Sequence, residues 1–412
     1  MGEAGPDSVV RPATSRLRDF DGRWLTAGIV ALYFATVWIC GARTDSVRVW
    51  DQVGVEVHSL RFADLRFLTA AVETHRAGGD PRVFNRCDPR LRRFNYPRIW
   101  LGLSKFNIGA EQTVPGGFLL ATIFYIAVFF VAGRIAVAEG VVYALLLCSP
   151  AAILAVERGN IDLVIFPLIV LAALQFEAKR GVYWSYLPVT LASILKLYPV
   201  CAFALALRER RRYAFGIIAL CFAAVAVYFY CIRGDIALMN AATPQIKEIS
   251  YGRRVLFQEL ASRKLRVYVQ LWSELGVISA VGLGAIGQRF IRMPSLSTRG
   301  GPLLTTGAAI YAGTFAMLNS FNYRMIFLLL LIPQLLEWLK HRRSRAPAAF
   351  ALFAIFYAML FASAKYRFFF ILKEAANWTV FVFCIWILFS LAAEAALRLS
   401  RPCTSGGHAV AS

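Results

Sequence analysis

Charged side chains are scarce in this sequence. Only 17% of its 412 residues are Asp, Glu, Lys or Arg, whereas 58% are hydrophobic, and the mean hydropathy is +0.58. A soluble protein of this length cannot bury that much apolar surface, because surface area limits what its core can hold. The scarcity of charge therefore argues against a soluble globular protein and predicts a membrane protein with several spans.

Ordered arrangements of cysteine, histidine and glycine are also missing. The eight cysteines form no CxxC pair and lie mostly in apolar runs, and the four histidines are scattered. We therefore expect no disulfide framework, no metal site and no cofactor. The sequence has no glycine-rich loop of the P-loop or Rossmann kind, so a cytoplasmic nucleotide or sugar-nucleotide site has no recognisable motif.

The net charge is +21, and its basic residues cluster in short loops between apolar runs. Examples are "RERRR" at 208–212, "KHRRSR" at 340–345 and Lys179 with Arg180. Basic residues in short loops are typical of the cytoplasmic side of a membrane, where they meet anionic lipid. No RNA- or DNA-binding module accompanies them, so we predict contact with membrane lipids and no nucleic-acid partner.

Eleven apolar segments follow one another along the chain, and one of them is interrupted. If segment 183–207 crossed the membrane, "RERRR" would lie outside, against the positive-inside rule. Within this segment, "LKLYP" (195–199) brings a lysine and a proline, which disfavour a continuous span. We therefore predict an all-α polytopic transmembrane fold with about ten spans and a re-entrant hairpin at this segment. The eleven segments lie near 24–40, 116–134, 138–156, 160–177, 183–207, 211–232, 269–290, 303–320, 323–339, 347–364 and 375–397.

This arrangement predicts a cytoplasmic N-terminal tail (1–23), a single transmembrane domain (24–397) and a cytoplasmic C-terminal tail (398–412). The first apolar run resembles a cleavable signal peptide, but its length and the ten segments after it favour an uncleaved span. The first outer loop, 41–115, is the longest. The chain carries no organelle signal, which favours the bacterial inner membrane, with the polar turns facing the periplasm.

The first outer loop contains an acidic residue in a helical context. The stretch "RFADLRFLTAAVETHRAGGDP" (61–81) predicts a short amphipathic helix that ends at its glycines. Asp64 lies in the first turn, where it either complements the helix dipole or acts as a general base above the membrane surface. Asp51 and Asp80 are the competing carboxylates, with Asp51 ranked second. The apolar face consists of Phe62, Leu65, Leu68, Thr69 and Val72.

Basic residues recur at the outer ends of the predicted spans, each near an aromatic residue or an asparagine. One such arginine usually extends toward the interface, but several on one face predict an anion-binding cavity. Arginine and lysine both suit phosphate oxygens. We expect Glu157 and Asp162 to pair with these cations, and Lys365 and Arg367 follow the same pattern. The candidate substrate-binding residues are Arg158, Asn160, Lys196, Tyr198, Arg324, Tyr96 and Arg98.

The order of these motifs resembles the GT-C superfamily of membrane glycosyltransferases, especially glycosyltransferase family 87, which uses polyprenyl-phosphate mannose. The resemblance covers most of the chain, although each motif is short. Leu65, Arg66 and Phe67 stand where the family often has tyrosines, which leaves the sugar open. The matching stretches are Asp64 in "ADLRFLTAAVETHRAGGDP", "NYPRIWL" (95–101), "ERGNIDLVIF" (157–166), "LKLYP" (195–199) and "YRMIFLLLLIPQLL" (323–336).

The resemblance implies a specific reaction and specific partners. The donor would be a sugar, mannose-like or arabinofuranose, on polyprenyl phosphate, and the acceptor a lipid or glycan hydroxyl. Asp64 would be the catalytic base, the basic residues would stabilise the leaving phosphate, and direct displacement would invert the anomeric carbon. Two other functions remain open from the sequence, a transporter or flippase of lipid-linked anions and an O-antigen polymerase or ligase.

Overall fold

The computed structural model describes residues 20–43, 46–55, 61–211, 213–244, 246–317 and 320–400. Most of the two predicted tails and short parts of the first outer loop lie outside these ranges. The described chain is mostly helical, with one antiparallel pair of two-residue strands, which agrees with the predicted all-α class.

The described ranges contain sixteen α-helices and five 3₁₀ helices. In chain order the α-helices are α1 Gly22–Arg43, α2 Ser46–Gln52, α3 Ala63–Arg76, α4 Thr113–Ala132, α5 Val137–Leu147, α6 Pro150–Glu157, α7 Asp162–Glu177, α8 Val182–Leu195, α9 Ala214–Cys231, α10 Arg233–Ala242, α11 Val255–Leu260, α12 Val269–Phe290, α13 Gly300–Met317, α14 Ile332–Leu339, α15 Arg342–Leu360 and α16 Arg367–Ser400. The 3₁₀ helices are Arg98–Phe106, Ala110–Gln112, Tyr198–Arg208, Arg263–Tyr268 and Asn322–Leu330, and the strands are β1 Ser250–Tyr251 and β2 Ser320–Phe321.

Five helices are long and apolar enough to cross a membrane, or six if the bent pair α5 and α6, which meet at 58°, is one span. Their apolar windows are only 17–39% buried, and a helix with such exposed apolar surface needs lipid around it. The five are α1, α4 with its preceding 3₁₀ turn, α9, α12 with its preceding 3₁₀ turn, and α16.

The expected ten spans are matched only in part. Segments 160–177 and 183–207 contain α-helices of 16 and 14 residues. Segment 323–339 becomes a 3₁₀ helix followed by the eight-residue α14. Residues 325–332 are completely buried, so this stretch is apolar because it packs inside the protein. An apolar run of that kind cannot be distinguished from a span by its composition.

The predicted cytoplasmic loops meet at one end of the molecule, called here the basic end. Backbone carbonyls and carboxylates there accept hydrogen bonds from side chains that are far away in sequence. The closing contacts are those of Arg211 with the Arg180 carbonyl (3.4 Å), Arg398 with the Arg208 carbonyl (3.4 Å), Lys340 with Glu139 (3.3 Å) and Trp338 with the Ser295 carbonyl (3.0 Å).

The predicted outer turns meet at the opposite end, called here the site end. Helix α16 connects the two ends: Lys373 donates to the Ser250 carbonyl at the site end, while Arg398 contacts the basic end. At 1.5 Å per residue these two positions are about 38 Å apart along the helix, a little more than the apolar thickness of a bilayer.

The chain turns back on itself at "LKLYP". Helix α8 ends at Leu195, Lys196 adopts an extended backbone (φ −156°, ψ 129°), and the 3₁₀ helix Tyr198–Arg208 packs back against α8. Arg180 before α8 and Arg211 after the 3₁₀ helix are in contact. The hairpin therefore starts and finishes at the basic end, and its turn at "LKLYP" lies away from that end. The predicted interruption of this segment is confirmed.

Candidate functional site

The site is built around the turn "ERGN" between α6 and α7. Gly159 has a left-handed backbone (φ +56°), its N–H donates to the Val156 carbonyl (3.0 Å), and the Asn160 N–H donates to the Ala155 carbonyl (3.1 Å). These two bonds form a Schellman motif that ends α6. The side-chain oxygen of Asn160 then accepts the Asp162 N–H (3.0 Å) and caps the start of α7. One short turn thus ends one helix, begins the next and fixes the side chain of Asn160.

Helix α3 begins directly on this turn. The N–H groups of Phe62 and Asp64 donate to the carbonyls of Glu157 (3.1 Å) and Arg158 (2.9 Å). The free amides at the start of α3 and the free carbonyls at the end of α6 therefore satisfy each other. Phe62 takes a left-handed backbone (φ +52°) to allow this arrangement, which is costly for an aromatic residue. The predicted amphipathic helix is confirmed, and its apolar face is buried.

Five residues form a chain of side-chain hydrogen bonds that starts at Asp64. Asn160 Nδ2 donates to Asp64 Oδ2 (2.6 Å), and Lys196 Nζ donates to Asn160 Oδ1 (3.1 Å) and to Asp162 Oδ1 (2.6 Å). Tyr198 donates its hydroxyl to the same Asp162 oxygen (2.6 Å). Asn160 and Asp162 are fully buried and Lys196 is 6% exposed, so this chain is held inside the protein.

Arg324 continues the chain from the other side. Its Nε lies 3.8 Å from Asp162 Oδ2, which is an ion pair but too long for a hydrogen bond, and its Nη1 donates to Ser320 Oγ (3.0 Å). The guanidinium also lies over the Tyr198 ring, 5.0 Å from its centroid. Asp64 and Arg324 are both partly exposed, so the cluster meets its surroundings at these two residues.

Three tyrosine rings surround the Lys196 ammonium. Its Nζ lies 5.4 Å from the Tyr96 centroid, 5.8 Å from that of Tyr198 and 5.6 Å from that of Tyr323. Burial, and then the negative charge of Asp64, raises the pKa of Tyr96 well above its ordinary value, so Tyr96 remains a neutral phenol. Aromatic faces around a partly desolvated cation stabilise its charge.

Arg158 differs from the other cations because it has no carboxylate partner among the described residues. Its side chain is buried, and its Nε and Nη2 have no hydrogen-bond partner. The neighbouring Glu157 likewise has a buried oxygen, Oε2, without a partner. Unpaired guanidinium nitrogens are costly to bury, and a bound anion would satisfy them.

The other predicted residues lie apart from this cluster. Arg98, expected to bind substrate, forms an ion pair with Asp235 on α10 (2.5 Å) and is exposed. Asp51 pairs with Lys365 (2.7 Å), and with Arg367 these residues line a separate pocket of about 540 Å³ at the site end. The predicted pattern of outer cations therefore divides into a buried cluster and a surface group.

Asp80 is a weaker candidate base than Asp64. Hydrogen bonds from Arg82 lower the pKa of the Asp80 carboxyl below its ordinary value, which makes it less able to take up a proton. The two groups are 2.6 Å apart in a surface turn. Among the three candidate carboxylates, only Asp64 contacts the buried cluster of the described chain.

Two residues of the site were not anticipated from the sequence. Tyr323 packs against Lys196 and Arg324, and Ser320 orients Arg324. Both lie in "NSFNYR", next to the predicted Arg324, but a serine and a tyrosine beside an arginine carry no specific signal. Asp162 was expected to pair with a cation of the cluster, and it does so as the partner of Lys196.

Comparison with protein-family models and with curated protein sequences finds no match for this chain. In the described residues, no group of three or more His, Cys, Asp or Glu side chains has the arrangement of a metal site.

Replacing Gly159 by Ala is expected to destabilise the protein and displace Asp64. A Cβ on Gly159 would lie 3.1 Å from the Cβ atoms of Phe62 and Leu65, in addition to the left-handed backbone, which alone costs roughly 1–2 kcal/mol. Gly78 is the matched control, because its φ is +79° but nothing lies within 4 Å. Thermal unfolding in detergent should show a larger loss for Gly159→Ala than for Gly78→Ala. Equal losses would mean that the contact with α3 is not tight.

Proposed function

We propose that this protein is an integral-membrane glycosyltransferase that moves a sugar from a polyprenyl-phosphate donor to a lipid or glycan hydroxyl. The observation that carries the proposal is the position of Asp64 beside the cations: Asn160 links it to Lys196, and its N–H donates to the carbonyl of Arg158, whose buried guanidinium has nitrogens without a hydrogen-bond partner. A transferase of this kind needs a base for the acceptor hydroxyl and positive charge for the departing phosphate. Both are supplied within one cluster.

Asp64 is assigned the role of the base. Its Oδ2 is held by Asn160, while its partial exposure leaves it accessible to an acceptor hydroxyl. As that hydroxyl attacks the anomeric carbon, the carboxylate takes up its proton and the bond from the sugar to the phosphate oxygen breaks. Attack from the face opposite the phosphate inverts the configuration at the anomeric carbon.

The cations are assigned to the lipid phosphate. Lys196 and Arg324 share the charge of Asp162, whereas Arg158 is not paired with a carboxylate in the described chain. Arg158 is therefore the primary phosphate ligand, and Arg324 at the accessible edge is the second. Water around Lys196 is excluded by the rings of Tyr96, Tyr198 and Tyr323. Because less water screens the charge, the positive potential at the leaving oxygen is stronger.

The basic end is assigned to the cytoplasm and the site end to the periplasm of a bacterial inner membrane. The short basic loops at one end support this orientation by the positive-inside rule. The hairpin α8 with its 3₁₀ helix enters from the cytoplasmic side and places "LKLYP" at the site as a re-entrant segment. With the shorter helices counted as spans, the chain crosses the membrane about ten times.

The proposal is tested by sugar transfer from radiolabelled polyprenyl-phosphate sugars in membranes that contain the protein. The donors should include mannose, glucose and arabinofuranose, and labelled product should appear in the lipid or glycan fraction with release of polyprenyl phosphate. Membranes with the Arg158→Gln variant are the control for endogenous enzymes.

Three outcomes separate the functions left open by the sequence. Transfer that depends on Arg158 supports the transferase. Movement of intact donor across reconstituted vesicles without loss of its sugar would instead favour a flippase. Joining of preassembled glycan units would indicate a polymerase or ligase. The polar groups gather at one end of the described chain rather than at mid-depth, which supports the first of these.

A further inference from the structure

A second group of buried charges lies in the first turns of α16, outside the buried cluster around Lys196 and Asp162. Lys373 and Glu374 are both completely buried, and Lys373 Nζ lies 3.0 Å from Glu374 Oε1. Asn377 donates to the same Glu374 oxygen (3.0 Å), and Tyr311 of α13 donates to Asn377 Oδ1 (3.1 Å). The other carboxylate oxygen, Glu374 Oε2, has no hydrogen-bond partner.

Stability alone gives a poor reason for this pair. Burying two charges is expensive, and exchanging a buried ion pair for apolar side chains of similar size is often neutral or stabilising. A buried charge pair that stability does not explain is a candidate for a role in function. The groups that Lys373 contacts therefore indicate its role.

Lys373 holds the two-stranded ribbon that precedes Arg324. Its Nζ donates to the Ser250 carbonyl in β1 (3.1 Å), and β1 pairs with β2 through Ser250 opposite Phe321 and Tyr251 opposite Ser320. The N–H of Asn322 extends the ribbon by donating to the Ile249 carbonyl (2.9 Å). Two residues later the chain reaches Arg324.

The ribbon in turn determines where the Arg324 guanidinium lies. Ser320 of β2 accepts from Arg324 Nη1 (3.0 Å) and donates to the Thr314 carbonyl (2.9 Å). The only carboxylate paired with Arg324 in the described chain is Asp162, at 3.8 Å, which is too long to fix its orientation. Tyr251 ties β1 to α13 through Thr314 (2.7 Å). Arg324 is thus oriented from the ribbon more than from the buried cluster.

We infer that Lys373, oriented by Glu374, is a positioning residue that sets the place of Arg324 through β1 and β2. The inference rests on the proposed function in one respect, that Arg324 binds the phosphate of the lipid donor. Lys373 itself is completely buried and does not touch the substrate, so its effect on binding passes through Arg324.

The test is a double-mutant cycle on the affinity for farnesyl phosphate, a short polyprenyl phosphate, measured by titration calorimetry on the full-length protein in detergent. Arg324→Gln and Lys373→Met should each weaken binding roughly tenfold, and the double variant should be no weaker than Arg324→Gln alone. Lys340→Met, which removes a lysine at the basic end, should leave the affinity unchanged. Additive effects in the double variant would overturn the inference.

A second measurement does not depend on the ligand. Amide hydrogen exchange in Lys373→Met should accelerate at residues 249–251 and 320–324, while α7 and the middle of α13 keep their protection. Unchanged exchange in the ribbon would overturn the inference even if binding fell. If the wild-type protein fails to bind farnesyl phosphate, the proposed phosphate site is wrong, and the exchange result alone decides whether Lys373 holds the ribbon.

Discussion

The Asp64→Asn variant is expected to transfer sugar roughly 10²- to 10⁴-fold more slowly than the wild type, the range typical for loss of a general base. Asparagine keeps the size of the side chain, and its carbonyl oxygen can still accept the 2.6 Å hydrogen bond from Asn160. The substitution therefore removes the proton acceptor while leaving α3 on the "ERGN" turn. Initial rates with a labelled polyprenyl-phosphate sugar measure the effect directly.

Two other carboxylates of the first outer loop provide matched controls. Asp51→Asn and Asp80→Asn remove acidic groups that pair with Lys365 and Arg82 at the surface, and both variants should keep nearly the wild-type rate. A wild-type rate in Asp64→Asn, with normal insertion in the membrane, would refute its role as the base. A large loss in Asp51→Asn would move that role to the separate pocket.

The second large effect is expected on stability, when the buried Lys196–Asp162 ion pair of the site is broken. Lys196→Met leaves the fully buried Asp162 without its nearest cation, and breaking a buried pair in this way typically costs about 3–5 kcal/mol. Lys365→Met is a closely matched comparison. It removes the same kind of group at nearly the same distance, 2.7 Å instead of 2.6 Å, but from a pair that is more than half exposed.

The two lysine variants should therefore separate clearly in thermal unfolding. Lys365→Met should change the free energy of unfolding by about 0–1 kcal/mol, as surface pairs do. Adding Asp162→Asn to Lys196→Met should recover part of the lost stability, because the uncompensated carboxylate is then gone. Similar losses for both lysines would mean that the site interior is wet and that its charges are screened.

Local sequence signals were sufficient for the parts of the fold that depend on neighbouring residues. Apolar periodicity predicted α3, and the pairing of lysine with proline predicted the interruption after Leu195. The positive-inside rule placed Lys196, Arg158 and Arg324 on one side, and they are indeed brought together at the site end. Each of these signals has a physical cause that acts within a few residues or at the membrane surface.

The sequence did not indicate which residues far apart in the chain pair with each other, because no local pattern marks such pairs. Arg98 pairs with Asp235, which is 137 residues away, and no pattern around either residue indicates it. The number of spans could not be fixed from composition, because completely buried segments such as 325–332 are as apolar as lipid-facing ones. The ribbon of β1 and β2 is only two residues long on each side, too short for an alternation of polar and apolar residues.

The length of α16 indicates the depth of the site relative to the bilayer. Its 34 residues extend about 51 Å, whereas the apolar layer of a bilayer is about 30 Å thick. With Arg398 at one interface, the opposite interface falls near Trp378, and Lys373 lies about one turn and a half above it. The ribbon that precedes Arg324 is then at the level of the lipid headgroups. If the donor is a lipid phosphate as proposed, its phosphate would reach the Arg324 guanidinium at its normal depth in the bilayer. A thinner or thicker bilayer would then change the depth of the phosphate relative to the guanidinium.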